Sequence, residues 1–152
     1  MSTSKFDVAY MKMAEAQASL SYDKRKVGCI LVKDNFVIAG GYNGTPRGTD
    51  NNTRNANDTT KETVIHAEMN ALVQAARSNQ STVGAKAYTT FYPCLKCAIH
   101  LYQAGITEIY YKDSNDNPDQ ITCGIWINET PNIKLRKVAY ESNTEDDRVS
   151  KK

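Results

Sequence analysis

A nearly unbroken apolar run at residues 27–32 restricts the fold of this chain more than any other feature of its sequence. The run reads Val-Gly-Cys-Ile-Leu-Val and contains no charged side chain. Successive side chains of a strand point to opposite faces, so a strand that is apolar throughout is covered on both faces. Asp34 and Asn35 then favour a tight turn into a second strand at residues 36–39. We therefore predict a hairpin within a sheet that carries helices on both sides.

Helical and strand patterns alternate along the rest of the chain. After Ser4, a helix is predicted from residues that recur at helical spacing, namely Phe6, Ala9, Tyr10, Met13, Gln17 and Leu20. Later elements are expected as a helix from about 66 to 77, a strand at 85–90, a helix from Pro93 closed by Gly105, a strand at 108–111, a helix at 120–128 and a strand at 133–139. Residues 40–48 are dense in turn formers, and residues 49–61 form a polar loop.

This order of elements predicts an α/β fold. The economical arrangement is a three-layer α/β/α sandwich with a mixed sheet of about five strands and helices on both faces. The helical crossovers predict that the later strands pair in parallel. With 152 residues, we expect a single domain with its core at about 5–140 and a charged tail at 141–152.

Charge and hydropathy exclude some classes of partner. The formal net charge of +2 argues neither for nor against nucleic acid, although a strong nucleic-acid footprint would be more basic and more clustered. No apolar run approaches the roughly 18 residues of a membrane span, and the first residues lack a signal-peptide core. We expect no membrane contact and a cytoplasmic location.

Two short segments carry residue types that suggest chemistry. They are His66-Ala67-Glu68 and Pro93-Cys94-Leu95-Lys96-Cys97, and each falls at a predicted helix start. Cys94 and Cys97 are one helical turn apart, where the positive end of the helix dipole favours their thiolate forms. With a neutral imidazole from His66, they make three nitrogen and sulfur ligands for zinc. A fourth position then stays open for water, which is typical of catalytic zinc.

Glu68 has the properties of an acid–base group beside such a site. It lies on the same predicted helix stripe as Ala71, Leu72 and Ala75, the face that this helix should bury. A buried carboxylate is costly without a partner, and a metal-site water together with a base nitrogen would supply one.

The cysteine pair is also compatible with other kinds of site. A Cys-x-x-Cys pair also occurs in redox centres and in structural zinc sites, and a non-enzymatic zinc module stays open as an alternative. The redox reading lacks a neighbouring tryptophan, and a structural site needs a fourth ligand. Cys29 and Cys123 stand in apolar surroundings and are expected as small core residues.

His-x-Glu followed by Pro-Cys-x-x-Cys resembles the signature of the zinc-dependent cytidine and deoxycytidylate deaminases. The resemblance covers roughly residues 5–140. The loop at 41–48, Gly-Tyr-Asn-Gly-Thr-Pro-Arg-Gly, is similar to that of the deoxycytidylate (dCMP) branch. The resemblance implies a cytidine deaminase-like fold, one zinc ion held by His66, Cys94 and Cys97, and proton transfer by Glu68. The implied reaction is deamination of dCMP to dUMP and ammonia, which supplies thymidylate synthesis.

Alternative substrates are dCTP, a C5-modified dCMP, or a base in tRNA or single-stranded DNA. The near-neutral charge disfavours the nucleic-acid reading.

The resemblance also implies substrate contacts. The backbone amide of Ala67 would contact the base oxygen, and Asn43 the sugar or phosphate, although an asparagine here also suits a turn. Lys24 and Arg25 lie near the family's phosphate-facing arginine, although a solvated basic turn is the alternative. Phe91 stands beside the base pocket, where a histidine is common.

Further expectations from the resemblance concern partners. They are dCTP and dTTP as allosteric effectors and a homo-oligomer, commonly a hexamer. Residues 49–61 lack the extra cysteines and histidine of relatives with a second zinc, so one metal ion is expected.

Overall fold

The computed structural model describes residues 3–140 of the chain, and the predicted tail at 141–152 lies outside the described residues. Four helices and five strands follow one another in these residues. They are α1 (Lys5–Ala18), β1 (Gly28–Lys33), β2 (Phe36–Tyr42), α2 (Ala67–Arg77), β3 (Lys86–Phe91), α3 (Leu95–Gln103), β4 (Glu108–Asp113), α4 (Pro118–Glu129) and β5 (Lys134–Lys137).

The strands form one mixed sheet in the order β2-β1-β3-β4-β5. β1 pairs antiparallel with β2 and β3, whereas β3, β4 and β5 are parallel. Asp34 and Asn35 both have positive φ, which is the turn geometry that matches the twist of a tight hairpin. The predicted hairpin and the predicted parallel pairing are both confirmed.

Two apolar layers cover the sheet, and this confirms the three-layer sandwich. On one face α1 packs Met11 and Ala14 against Ile30 and Tyr88. On the other face α2, α3 and α4 bury a larger cluster that includes Leu31. Cys29 and Cys123 are fully buried in this second cluster, as expected of core residues. No helix within residues 3–140 has the length and apolar character needed to cross a bilayer.

The opening helix is confirmed and ends at Ala18, but the apolar spacing marks the buried face only in part, through Tyr10, which packs against the core. Phe6, Met13 and Leu20 are exposed, whereas Met11, Ala14 and Ala18 are buried. The two alanines allow a close approach, because a Cβ on Gly28 of β1 would lie only 2.0 Å from the Ala14 carbonyl oxygen. Small residues rather than large ones therefore define the contact face of α1.

The prediction of a turn at residues 40–48 is wrong at its beginning, because β2 continues through Gly40 and Gly41 to Tyr42. A Cβ on Gly41 would lie 2.5 Å from the Ala71 nitrogen and 2.7 Å from the Ala67 oxygen. Gly41 is thus needed for close packing of the sheet against the backbone of α2, and not for a turn.

Several element ends differ from the prediction. α3 begins at Leu95, because Cys94 rather than Pro93 is the N-cap. α4 begins at Pro118, because the Asn117 side chain caps it by accepting the Gln120 amide at 2.8 Å. β5 is limited to Lys134–Lys137. Residues 49–61 form the expected loop, with only an isolated bridge between Arg54 and Thr60.

The close approach at Gly41 predicts a large effect of a single methyl group. Gly41→Ala should lower the free energy of unfolding by about 1–3 kcal/mol, because the new Cβ pushes against α2 backbone that cannot move aside. Gly44→Ala is the matched control, since the nearest atoms to its Cβ are at 3.9 Å. Its effect should stay within about 0.5 kcal/mol. Urea denaturation followed by circular dichroism measures both, and equal stability of the two variants would contradict the packing role of Gly41.

Candidate active site

The N-termini of two helices meet beside the sheet. His66 is the N-cap of α2, and Cys94 is the N-cap of α3, with Cys97 in the first turn of α3. α3 follows directly after β3, whereas α2 is anchored to β2 by the Asn70 side chain, which donates to the Tyr42 carbonyl at 2.8 Å. The predicted placement of both segments at helix starts is therefore confirmed.

The three side chains are spaced as a tetrahedral zinc ion requires. His66 Nδ1 lies 3.5 Å from Cys94 Sγ and 3.4 Å from Cys97 Sγ. Bonds of about 2.0 Å to nitrogen and about 2.3 Å to sulfur at tetrahedral angles separate the two atoms by about 3.5 Å. Within the described residues 3–140, only these three ligand atoms form such a group, and they lie within 4.8 Å of one another. The donor set fits zinc with one position left for another molecule.

The electrostatics of the thiols also suit metal binding. A hydrogen bond from the Cys97 thiol and the nearby His66 ring together lower the pKa of Cys94 to about 4, against the opposing effect of burial. The same shared proton, together with burial, raises the pKa of Cys97. The hydrogen bond with Cys94 raises the pKa of His66. One thiolate is thus already favoured at neutral pH, and thiolate is the form that binds metal.

Glu68 stands beside this group in a buried position. Its exposed fraction is 4%, and Ala71 and Ala75 on the same stripe are fully buried. Burial raises the pKa of Glu68, and its hydrogen bond with Cys97 acts in the opposite direction. Thr89 Oγ1 donates to Glu68 Oε1 at 3.2 Å. A carboxyl group of raised pKa near an open metal position is suited to take up and return protons near neutral pH.

A cavity of about 230 Å³ opens onto these groups. The predicted site residues that line it are Arg25, Asn43, His66, Ala67, Glu68, Phe91 and Cys94. Cys97 is buried behind this surface. Lys24 is not brought to the cavity, because its ammonium group pairs with Asp58 and its side chain is 57% exposed.

Asn43 has a structural role within the cavity wall. Its Oδ1 accepts the Val27 amide at 2.9 Å, and its Nδ2 donates to the Arg25 carbonyl at 2.7 Å. Asn43 is not among the residues with positive φ, so left-handed turn geometry does not explain its presence. An asparagine amide has two Nδ2 hydrogens, and the Arg25 carbonyl accepts one of them, which leaves the other for a ligand. Asn43 thus fixes the backbone that carries Arg25.

Other residues of the cavity were not found from the sequence. Asp119 lines it, and its Oδ2 accepts the Leu95 amide at the start of α3 at 3.0 Å. The Asn117-Pro118 pair, a cap followed by proline, could have placed the start of α4 here. Arg54 also lines the cavity, and its Nη2 donates to Asp23 Oδ1 at 2.6 Å. Nothing in the local sequence of the polar loop distinguishes Arg54 from a solvated arginine.

Comparisons with known proteins agree with this site. The chain belongs to the family described as the cytidine and deoxycytidylate deaminase zinc-binding region, whose model matches residues 4–113. The crystal structure of a dCMP deaminase from the cyanophage S-TIM5, in complex with dCMP and dUMP, superposes with a TM-score of 0.81. That protein is 33% identical, and the match covers 91% of this chain and all of that one.

Two fungal proteins are similar over a shorter part of their own length. The deoxycytidylate deaminase of Schizosaccharomyces pombe is 36% identical over 151 residues, which cover 91% of this chain and 46% of that protein. The deoxycytidylate deaminase of Saccharomyces cerevisiae is 39% identical over 119 residues, covering 72% of this chain and 38% of that protein. The chain therefore spans less than half the length of these curated relatives.

The ligand geometry predicts that zinc binding requires the cysteines of the ligand group and not the buried cysteine of α4. Cys97→Ala should reduce bound zinc from about one ion per chain to nearly none, because only two ligands would remain. Cys123→Ala, a buried cysteine of α4 outside the ligand group, should keep its zinc. Atomic emission spectroscopy on the purified proteins measures this difference. Full zinc content in Cys97→Ala would show that the group is not the binding site.

The Asp23–Arg54 pair predicts a specific loss of stability in acid. Burial alone would raise the pKa of Asp23, but the Arg25 amide and the Arg54 guanidinium hold it below the ordinary value of 3.8. A carboxylate whose pKa is lowered by folding stabilises the protein above its unfolded pKa, and this effect is lost as the pH falls through the folded pKa. The melting temperature of the wild type should therefore exceed that of Asp23→Asn at neutral pH.

This difference should shrink between about pH 5 and about pH 2, as measured by differential scanning fluorimetry. Asp34→Asn, in the exposed turn between β1 and β2, serves as the control and should show no such convergence. A difference for Asp23→Asn that stays constant across this range would contradict the role of the pair.

Proposed function

We propose that this chain is a zinc-dependent hydrolase that deaminates dCMP to dUMP and ammonia. The observation that carries the proposal is that the buried carboxyl group of Glu68 lies beside the three candidate metal ligands His66, Cys94 and Cys97. Glu68, His66 and Cys94 line the same cavity. An open metal position with an adjacent acid–base group is the arrangement that a hydrolytic deaminase needs.

The choice of dCMP is supported by the relatives. The cyanophage protein was crystallised with dCMP and dUMP, which differ only in the exchange of the C4 amino group for oxygen. The matched proteins of both yeasts are deoxycytidylate deaminases. Because this chain covers less than half of those two proteins, their activity is proposed for it by analogy and requires its own assay.

His66, Cys94 and Cys97 are proposed to hold the ion. Zinc, when bound, supplies a water whose pKa lies near neutrality. Glu68 accepts a proton from the attacking water and delivers it to N3 of the cytosine ring while oxygen bonds to C4. Glu68 then takes the remaining proton of that oxygen and passes it to the exocyclic amine, the C4–N bond breaks as the C4=O bond forms, and ammonia leaves. The raised pKa of Glu68 suits both uptake and release of the proton.

The cavity residues are proposed to orient the nucleotide. The backbone amide of Ala67, at the start of α2, would donate to the base oxygen. Phe91 would pack beside the base, and the unused Nδ2 hydrogen of Asn43 would contact the sugar or phosphate. Arg25, which Asn43 holds in place, would face the phosphate. Lys24 is left out, because it pairs with Asp58 away from the cavity.

The wider setting of the enzyme is also proposed from the family resemblance. The product dUMP would supply thymidylate synthesis in the cytoplasm. Regulation by dCTP and dTTP, a hexameric assembly and the single-domain organisation of residues 1–152 stay predictions. Light scattering and calorimetry with the two triphosphates would test assembly and regulation.

The acid–base role of Glu68 predicts a loss of turnover without a loss of metal. Glu68→Gln should lower kcat for dCMP by at least about 10²-fold, because the amide cannot shuttle protons. Bound zinc should be unchanged, since Glu68 is not in the ligand group. Glu62→Gln, an exposed residue of the preceding loop, is the matched control and should retain full activity.

The assay follows the loss of cytosine absorbance with dCMP, dCTP and 5-substituted dCMP as parallel substrates. Zinc-loaded wild type that leaves all three unchanged would refute the proposal. Faster turnover of dCTP or of a 5-substituted dCMP would reassign the substrate.

A further inference from the structure

Arg54 brings a second guanidinium group to the cavity, from the polar loop at residues 49–61. Its side chain is only 19% exposed, and its Nη2 donates to Asp23 Oδ1 at 2.6 Å. Nη1 makes a longer contact of 3.3 Å with the Asp58 carbonyl. The Nε group is buried, and no acceptor for it lies among the described residues. A guanidinium has five N–H donors, and only one each of Nη1 and Nη2 is engaged within this part of the chain, so the remaining Nη hydrogens are left for an anionic ligand.

Asp23 holds this guanidinium in a fixed place. The Asp23 side chain is 2% exposed, and its Oδ1 also accepts the Arg25 amide at 3.0 Å. The Asp23 amide donates to Ser21 Oγ, which in turn donates to the Asn43 carbonyl at 2.7 Å. A continuous chain of hydrogen bonds thus joins Arg54 to Asn43 in the glycine-rich segment at residues 41–48. Such a preorganised cation can bind a ligand without a large loss of side-chain entropy.

Arg54 lines the same cavity as His66, Glu68 and Cys94. Arg25 lines the same cavity, and its backbone amide bonds to Asp23. Asp23 thus links two arginines that line one cavity, and their guanidinium groups are the donors that a compact anion bound there would use.

We propose that Arg54, together with Arg25, binds the 5′-phosphate of the substrate and makes the enzyme select a nucleotide over a nucleoside. This inference rests on the proposed deaminase function and assigns the phosphate contact to residues of two separate segments. In the role of phosphate ligand, Arg54 of the loop at residues 49–61 takes the place that the sequence had suggested for Lys24. A guanidinium can donate two parallel hydrogen bonds to phosphate oxygens, whereas the exposed Lys24 ammonium is already paired with Asp58.

A purely structural role of Arg54 would also tether the loop at residues 49–61 to Asp23. The Lys24–Asp58 pair provides a matched comparison, because it joins the same two segments outside the cavity. Lys24→Ala removes a tether but no cavity cation, whereas Arg54→Ala removes both. The two variants therefore separate phosphate binding from loop anchoring.

The kinetic test uses zinc-loaded protein of residues 1–152 with dCMP and deoxycytidine. Arg54→Ala should raise KM for dCMP by about 10- to 100-fold, as expected for the loss of charge-assisted hydrogen bonds. Its kcat/KM for deoxycytidine should change less than about 2-fold, because that substrate has no phosphate. Arg54→Lys should recover part of the dCMP affinity through its charge. Lys24→Ala should match the wild type with both substrates.

A binding test does not depend on turnover. Calorimetry with 2-deoxyribose 5-phosphate should show at least about tenfold weaker binding to Arg54→Ala than to wild type and Lys24→Ala. Equal binding by wild type and Arg54→Ala would overturn the assignment of Arg54. Equal effects of Arg54→Ala on dCMP and deoxycytidine, or of Lys24→Ala and Arg54→Ala on KM, would also overturn it. Absence of turnover in the wild type would instead refute the deaminase function, and the calorimetric result would still decide the phosphate contact.

Discussion

The contact between the backbone of α2 and the glycine side of β2 is the constraint on which the candidate site depends. At Gly41 the strand lies so close to α2 that a single Cβ would collide with the Ala67 carbonyl and the Ala71 amide. This contact sets the position of the first turn of α2, and with it the position of His66. α3 is placed independently, as the continuation of β3. The three candidate metal ligands therefore come together only because sheet packing brings the starts of α2 and α3 side by side. His66 and Cys94, the N-caps of these helices, are 28 residues apart in sequence.

Local signals made part of this molecule predictable. The ligand group and the helix starts follow from spacing within a few residues, since a cysteine pair one turn apart and a histidine before an alanine-rich helix define their own geometry. The hairpin was predictable because Asp34 and Asn35 tolerate positive φ. The buried face of α1 and the course of β2 through Gly40 and Gly41 were not. Both depend on how closely a helix approaches the sheet, which is a property of two segments together.

The cavity shows the same division between local and long-range information. The resemblance of residues 41–48 to the dCMP branch made it possible to predict Asn43 as a site residue. Its hydrogen bonds to the Arg25 and Val27 backbone, in contrast, depend on the folded chain. Arg54 carried no signal at all, because its partner Asp23 is 31 residues away in sequence. Glu68 illustrates the cost of such a site. A carboxyl group buried among alanines opposes folding, and residues of this kind are kept where chemistry uses them.

The parallel half of the sheet has a consequence for how the site is assembled. β4 and β5 are joined by α4, whose first turn carries Asp119, and Asp119 accepts the first amide of the cysteine-bearing helix α3. The end that presents Cys94 is therefore stabilised by a residue of the crossover that joins β4 to β5. The ion-binding geometry is linked in this way to the docking of a later crossover. We therefore expect metal affinity to depend on the docking of α4 as well as on the ligands themselves.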